Sequence, residues 1–172
     1  MKITVISASN RHDNKTRIFA ERCVQHLENA GANAQFFSLA SLPESLSIHD
    51  IYEFDANDFT RIVEKYIRPV NKFAFVVPEY NGSYPGILKM FIDGIPPAYF
   101  SGKKAALVGI SSGRSGNIRG LDHLTSVLYH LQTMVLPERV YISRIDELLR
   151  AGEIDPATDG LLQKCIGTLV KA

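Results

Sequence analysis

Tryptophan is absent from this chain, cysteine occurs only twice, and neither sign of charge dominates. Lys and Arg number 19 against 18 Asp and Glu, a formal net charge of +1 over 172 residues. With no basic stripe and no interleaved aromatics, the charge pattern does not suggest a nucleic-acid partner. Cys23 and Cys165 lie far apart and match no metal or redox spacing, so both are expected to be reduced thiols in a cytosolic protein. The five histidines (His12, His26, His49, His123 and His130) form no HExxH or clustered ligand pattern, and no metal site is expected. No apolar run approaches the ~18 residues of a membrane helix. The amino terminus, MKITVISAS, carries one positive charge and too short an apolar run for a signal peptide. A soluble, cytoplasmic protein without a membrane partner is therefore expected. Neither G-x-x-x-x-G-K-[ST] nor G-x-G-x-x-G occurs, which removes the P-loop and the Rossmann dinucleotide fingerprint.

What is present is an ordinary globular composition, 45% hydrophobic and 22% charged. Strand-like and helix-like patterns alternate. Residues 3–7 (ITVIS) read as a strand buried on both faces. Residues 14–30 place Phe19, Ala20, Cys23, Val24 and Leu27 on one helical face, and Gly31 follows as a stop. Residues 34–39 form a second strand, while 40–56 carry no firm assignment. Asn57 or Asp58 caps a helix with Phe59, Ile62, Val63, Tyr66 and Ile67 inward, ended by Pro69. Residues 72–77 (KFAFVV), 104–111 and 139–142 complete five strands. Helices are expected around Gly86–Gly94, through Leu121, Leu124, Leu128 and Leu131, and over residues 158–170. The alternation implies an α/β fold with a five-stranded parallel sheet, helices on both faces, and residues 1–172 as a single domain. Ligands of such sheets bind at the carboxyl ends of strands, which directs attention to the loops after the first, third and fourth.

The first loop, residues 8–16, is rich in hydroxyls, amides and positive charge and feeds a helix amino terminus, where unpaired N–H groups favour an anion. Ser9, Asn14 and Thr16 offer side-chain donors, Lys15 a charge, and Arg11 a forked, charge-assisted contact suited to a phosphomonoester. The same residue types also serve as simple helix caps, and this alternative stands beside the first. In the second loop Asn81-Gly82 is a dipeptide able to take positive φ, and Pro78 stiffens the strand exit.

The run Pro78-Glu79-Tyr80-Asn81-Gly82-Ser83-Tyr84-Pro85-Gly86-Ile87-Leu88-Lys89-Met90-Phe91-Ile92-Asp93 resembles the P-E-Y-N-x-S/G-x-P-G-x-L-K-x-x-I-D stretch of the NADPH-dependent FMN reductase family of flavodoxin-like proteins. Residues 8–14 resemble that family's G-S-x-R-x-x-S turn, with Ala8 for the glycine and Asn14 for the serine. Residues 111–120 are similar to its S-x-G-x-x-G-G loop. Relatives often carry a tryptophan after the I-D pair, where this chain has Gly94-Ile95-Pro96-Pro97. The resemblance implies a flavodoxin-like three-layer sandwich with strand order 2-1-3-4-5. It implies FMN with its phosphate on Ser9, Arg11, Asn14, Lys15 and Thr16 and its ring against Pro78, Glu79, Tyr80, Asn81, Gly82, Ser83, Ser112 and Gly113. Arg114 or Arg119 either meets NADPH phosphates or is a solvated loop arginine.

The activity implied is oxidoreduction: hydride passes from NAD(P)H to bound FMN and electrons go on to a second acceptor such as a free flavin, a quinone or a similar small molecule. The cofactor carries the chemistry, so no acid, base or nucleophile is assigned. A flavodoxin-type electron carrier is the alternative, although such carriers tend to be acidic and to bear a T/S-x-T-G-x-T first loop. The helix around residues 87–95 is apolar almost all round, which suggests either burial against a partner, with Leu88 and Phe91 in the contact, or a fully internal helix. The resemblance implies a homodimer or a dimer of dimers.

Overall fold

The computed structural model describes residues 2–53, 57–150 and 153–172. Strand β1 (Lys2–Ser7) leads to helix α1 (Thr16–Asn29) and β2 (Asn33–Ser38). Gly31 turns the chain between them at φ 77°, a conformation that costs glycine no Cβ clash. After a turn of 3-10 helix at Leu39–Ser41 come the short α2 (Ile48–Tyr52) and α3 (Asp58–Tyr66). Asn57 is the residue that caps α3, its side chain accepting from the Thr60 N–H at 2.9 Å. Then follow β3 (Lys72–Pro78), α4 (Gly86–Asp93), β4 (Lys104–Ile110) and α5 (Ile118–His130).

The central strands pair in parallel in the order β2-β1-β3-β4, and a fifth position completes the sheet beside β4. That position is filled by two short strands, β5 (Met134–Val135) and β6 (Val140–Ile142). On β4, the partners Ala105 and Val108 are three positions apart, whereas Val135 and Val140 are five apart. The two extra residues loop out around Pro137, which has no N–H to give to a ladder. The expected strand over 139–142 is therefore β6 alone. A short α6 (Ile145–Leu148), a small hairpin of β7 (Leu149–Arg150) and β8 (Glu153–Ile154), and α7 (Pro156–Lys171) end the chain.

Because successive strand residues point to opposite faces, the sheet feeds two cores. Phe73, Phe75 and Val77 of β3 join Phe59 and Val63 of α3, Leu88, Phe91 and Ile92 of α4, and Leu121, Leu124 and Leu128 of α5. Ala74 and Val76 instead meet Phe19, Cys23 and Leu27 of α1 and Leu162, Cys165 and Ile166 of α7. Each fully buried large apolar side chain contributes about 1.5–3 kcal/mol relative to exposure. Both cysteines are free thiols facing this second core, and burial pushes the Cys165 thiol up to about 11 and that of Cys23 higher still.

Alpha helices α1 and α7 are also tied across their surface. Asp159 accepts from Arg22 Nε at 2.6 Å and Nη2 at 2.5 Å, and lies 2.7 Å from His26 Nε2. Away from the strands' carboxyl ends, lysines close helix termini. Lys72 Nζ donates to Leu169 O and Val170 O at 2.9 and 3.0 Å, and Lys103 Nζ to Ile67 O and Arg68 O at 2.6 and 3.1 Å. Cations at these carboxyl ends satisfy orphan carbonyls and complement the helix dipole. Burial lowers the Lys103 ammonium to about 8.

Leu88 and Phe91 point into the core, at 0% and 1% exposure, so the partner-facing role expected of them is not available. It is Ile87 and Met90 that are half-buried on the outer side of α4.

Candidate active site

The carboxyl ends of β1, β3 and β4 open into a cleft of about 370 Å³, within the range of small-molecule sites. From the first loop it takes Ser9, Arg11, Asp13, Asn14, Lys15 and Thr16. The second supplies Pro78, Glu79, Tyr80 and Asn81, and the third Ile110, Ser111 and Ser112. Ile145 and Asp146 of α6 close the remaining side. Ten of the thirteen residues expected from the sequence thus meet in one cleft; Gly82, Ser83 and Gly113 fall outside its lining.

In the first loop Ser9 is buried and its hydroxyl faces the Tyr80 hydroxyl at 2.9 Å, while Arg11 Cζ lies 4.6 Å over the Tyr80 ring. Asn14 serves the turn: its carbonyl oxygen accepts from the Arg17 N–H at 3.0 Å and its amide donates to Arg11 O. The capping alternative therefore describes what the Asn14 side chain does. Lys15 donates to the Asp146 carboxylate. Among the described residues, the N–H groups of Lys15 and Thr16 at the start of α1 have no protein acceptor, as a helix start requires. The Ser7 hydroxyl, on the last residue of β1, is buried without a partner.

In the second loop Asn81 and Gly82 take φ of 52° and 77°. Tyr80 N donates to Ser83 O at 2.8 Å and Ser83 N to Tyr80 O at 3.1 Å. This is a two-residue type I′ hairpin, the geometry an Asn-Gly pair favours. Both of the turn's own hydrogen bonds use Tyr80 and Ser83, and among the described residues the Asn81 and Gly82 N–H groups have no protein acceptor. Ser83 turns away, its hydroxyl 2.9 Å from His123 Nδ1 on α5.

The third loop is held by Ser111 and Asn117. Ser111 Oγ donates to Gly113 O at 3.0 Å and accepts from Gly116 N at 2.9 Å. Gly113 O also accepts from Arg144 N at 2.8 Å, which commits this glycine to the α6 linker. Asn117 is buried in the left-handed region at φ 64°, and its amide donates to Val77 O at 3.0 Å. Ser115 donates to the Glu79 carboxylate, joining the third loop to the second. Arg114 and Arg119 are exposed and line none of this cleft.

Asp13, Ile110, Ser111, Ile145 and Asp146 are lining residues that sequence reasoning did not select. Ile110 and Ser111 lie at the end of an evident strand, a usable signal. Ile145 and Asp146 arrive on a four-residue helix downstream of every motif and leave none.

A family model described as NADPH-dependent FMN reductase matches residues 1–147. The chain belongs to the NADPH-dependent FMN reductase family. Family membership makes it an oxidoreductase, with FMN and NADPH as the family's cofactors. It is 36% identical over 107 residues to an NAD(P)H-dependent FMN reductase of Pseudomonas aeruginosa, a match that covers 59% of this chain and 55% of that protein. It is 31% identical over 134 residues to a quinone reductase of Escherichia coli, covering 72% of this chain and 68% of the relative. In three dimensions it is similar to a flavoenzyme NAD(P)H:(acceptor) oxidoreductase from Paracoccus denitrificans, with TM-score 0.79, 26% identity, and coverage of 99% and 95% of the two chains.

The residues present fit the family's flavin. Helix-terminal amides, the Ser9 and Thr16 hydroxyls and two cations answer a phosphate at one end. Outward main-chain amides and an aromatic side chain answer a flat, polar-edged ring at the other. Among the described residues no helix is long and apolar enough to cross a membrane, and no group of three or more His, Cys, Asp or Glu is placed to hold a metal.

Proposed function

We propose that this chain is a cytoplasmic NAD(P)H-dependent oxidoreductase that holds FMN in the cleft at the ends of β1, β3 and β4 and reduces a small acceptor of the quinone or flavin class. The observation that carries the reading is the Tyr80–Ser83 turn. It presents two main-chain N–H groups without a protein acceptor among the described residues, next to Tyr80, whose hydroxyl meets that of Ser9, 71 positions earlier. When bound, FMN would supply the redox chemistry, that of a hydride acceptor able to pass electrons on, and the protein supplies binding, orientation and electrostatics. Arg11, Lys15 and the start of α1 bind and orient the phosphate end. The Asn81 and Gly82 amides would donate to the ring edge, where fixed dipoles stabilise negative charge without reorganisation. Ile110 and Ile145 exclude water from one wall.

The single-domain assignment over residues 1–172 is supported by α7, which lies beyond the family match and supplies Leu162, Cys165, Ile166 and Leu169 to the second core. A homodimer is supported by a groove of about 480 Å³ between α4 and α5, where Ile92, Ile95, Val127 and Leu131 lie among Lys89, Asp93, Ser126 and His130. Val127→Glu should halve the mass seen by sedimentation, and an unchanged mass places any contact elsewhere.

The test of function is anaerobic mixing of the FMN-loaded protein with NADPH, followed by steady-state rates against a panel of quinones, free flavins and azo compounds. Rapid loss of the flavin's visible absorbance and turnover with the panel are expected. Flavin that binds but is bleached by neither NADPH nor NADH favours an electron carrier. Protein that neither takes up FMN nor quenches its fluorescence overturns the reading.

A further inference from the structure

The cleft carries more acid than a phosphate site needs. Arg11 and Lys15 face Asp13, Glu79 and Asp146, two cations against three carboxylates. Glu79 is engaged by Ser115, but Asp146 reaches the helix start itself and accepts from Lys15 Nζ. Its position is built in. Arg144 enters α6 in the left-handed region at φ 53°, held by its N–H on Gly113 O at 2.8 Å, and Ile145 N donates to Ser111 O at 3.2 Å. The third loop therefore aims α6, and with it Asp146, at the start of α1. Lys15 and Asp146 side chains are 47% and 56% exposed. A pair so open to solvent is weakly held and can exchange partners.

We propose that Asp146 sets the ligand preference of the cleft: its carboxylate competes with a bound phosphomonoester for Lys15, so FMN is held as an exchangeable ligand only modestly preferred over phosphate-free riboflavin. The inference rests on the reading above that the flavin phosphate lies on the first loop. A phosphate dianion entering there meets one cation already paired and one like charge close by. A Lys15 ammonium freed from Asp146 to meet two negative charges at several ångströms in a solvent-rich cleft shifts affinity by on the order of tenfold. The isoalloxazine ring, gripped at the other end, does not sense the carboxylate. Discrimination between flavins therefore lies at the phosphate end, where Asp146 opposes the pull of Lys15 and Arg11.

The experiment is titration of FMN and of riboflavin into the full chain, read by quenching of flavin fluorescence, with wild type, Asp146→Asn and Asp146→Ser. Each variant's thermal melt without flavin establishes that it is folded. Wild type is expected to prefer FMN by less than about tenfold, and both variants to tighten FMN by on the order of tenfold with riboflavin unchanged. The gain should shrink in high salt and should fall to within about threefold in a Lys15→Gln background. Equal shifts for FMN and riboflavin, or no shift in either variant, overturn the inference while leaving FMN binding intact. If wild type and variants bind neither flavin, the functional reading falls and this inference with it.

Discussion

The Ser9 hydroxyl lies 2.9 Å from the Tyr80 hydroxyl, and the face of the same tyrosine carries Arg11 at 4.6 Å. One aromatic side chain thus joins the loop after β1 to the loop after β3, so the phosphate end and the ring end of the cleft share a support. Tyr80→Phe removes the hydroxyl contact and keeps the ring under Arg11. It should cost about 0.5–1.5 kcal/mol in chemical denaturation, and Tyr80→Ala about 0.5–1 kcal/mol beyond that for the lost cation–π contact. A Ser9→Ala and Tyr80→Phe double-mutant cycle with no coupling energy would show that the two hydroxyls act independently.

Arg11 is exposed and free to leave the tyrosine for an anion. Arg11→Ala should weaken FMN by about 1–3 kcal/mol, the scale of a hydrogen bond to a charged group, and leave riboflavin unaffected. Isothermal titration with both ligands measures this. FMN affinity equal to wild type would assign phosphate recognition to Lys15 and the start of α1 instead.

Two glycines should respond to alanine for different reasons. At Gly82 an added Cβ meets nothing nearer than Arg119 Nη1 at 3.7 Å, so the cost is the left-handed backbone at φ 77°, about 1–2 kcal/mol. At Gly94 the Cβ would lie 2.5 Å from both Cγ2 and O of Ile51. A backbone oxygen cannot rotate aside, and overpacking of about 1–3 kcal/mol is expected. Denaturation midpoints report both, and only Gly82→Ala should also weaken flavin binding.

Asp159 gives the fold an acid limit. Hydrogen bonds from Arg22, and then from His26, hold its carboxyl down at about 2, against roughly 3.9 in an unfolded chain. A depressed folded-state pKa stabilises above the unfolded value and ceases to do so as pH falls through the folded one. Asp159→Asn should therefore be less stable than wild type at neutral pH, with the gap closing between about pH 4 and pH 2. A gap constant across that range would mean that Asp159 acts through packing rather than charge.

Much of this molecule is legible in its residues because local chemistry and tertiary structure agree. Residues 73–77 are apolar and, Ala74 apart, β-branched or aromatic, and they are the buried centre of the sheet. Asn81-Gly82 has the conformational freedom of a primed turn, and it forms one. The failures have physical causes. Leu88, Phe91, Ile87 and Met90 are equally apolar, so composition cannot tell which pair α4 turns inward. The stretch 40–56 lacks a helical period long enough to expose α2, whose Ile51 is fixed by a distant contact with Gly94. Asp146 reaches the cleft through α6, which is aimed by hydrogen bonds to Gly113 and Ser111 more than thirty residues earlier. Asn117 stands at the last glycine of the S-x-G-x-x-G-G pattern, and asparagine is among the side chains that best tolerate its positive φ.

The division of the fifth strand around Pro137 has an effect on how copies of this protein meet in crowded solution. A sheet border is a template on which a foreign strand can crystallise, and its hazard grows with the length of unbroken ladder it shows. Here that border consists of one two-residue and one three-residue segment with an imino acid between them. An incoming chain can register with neither piece for more than a few residues, so the route to fibrils through lateral strand addition is interrupted on this side before it begins.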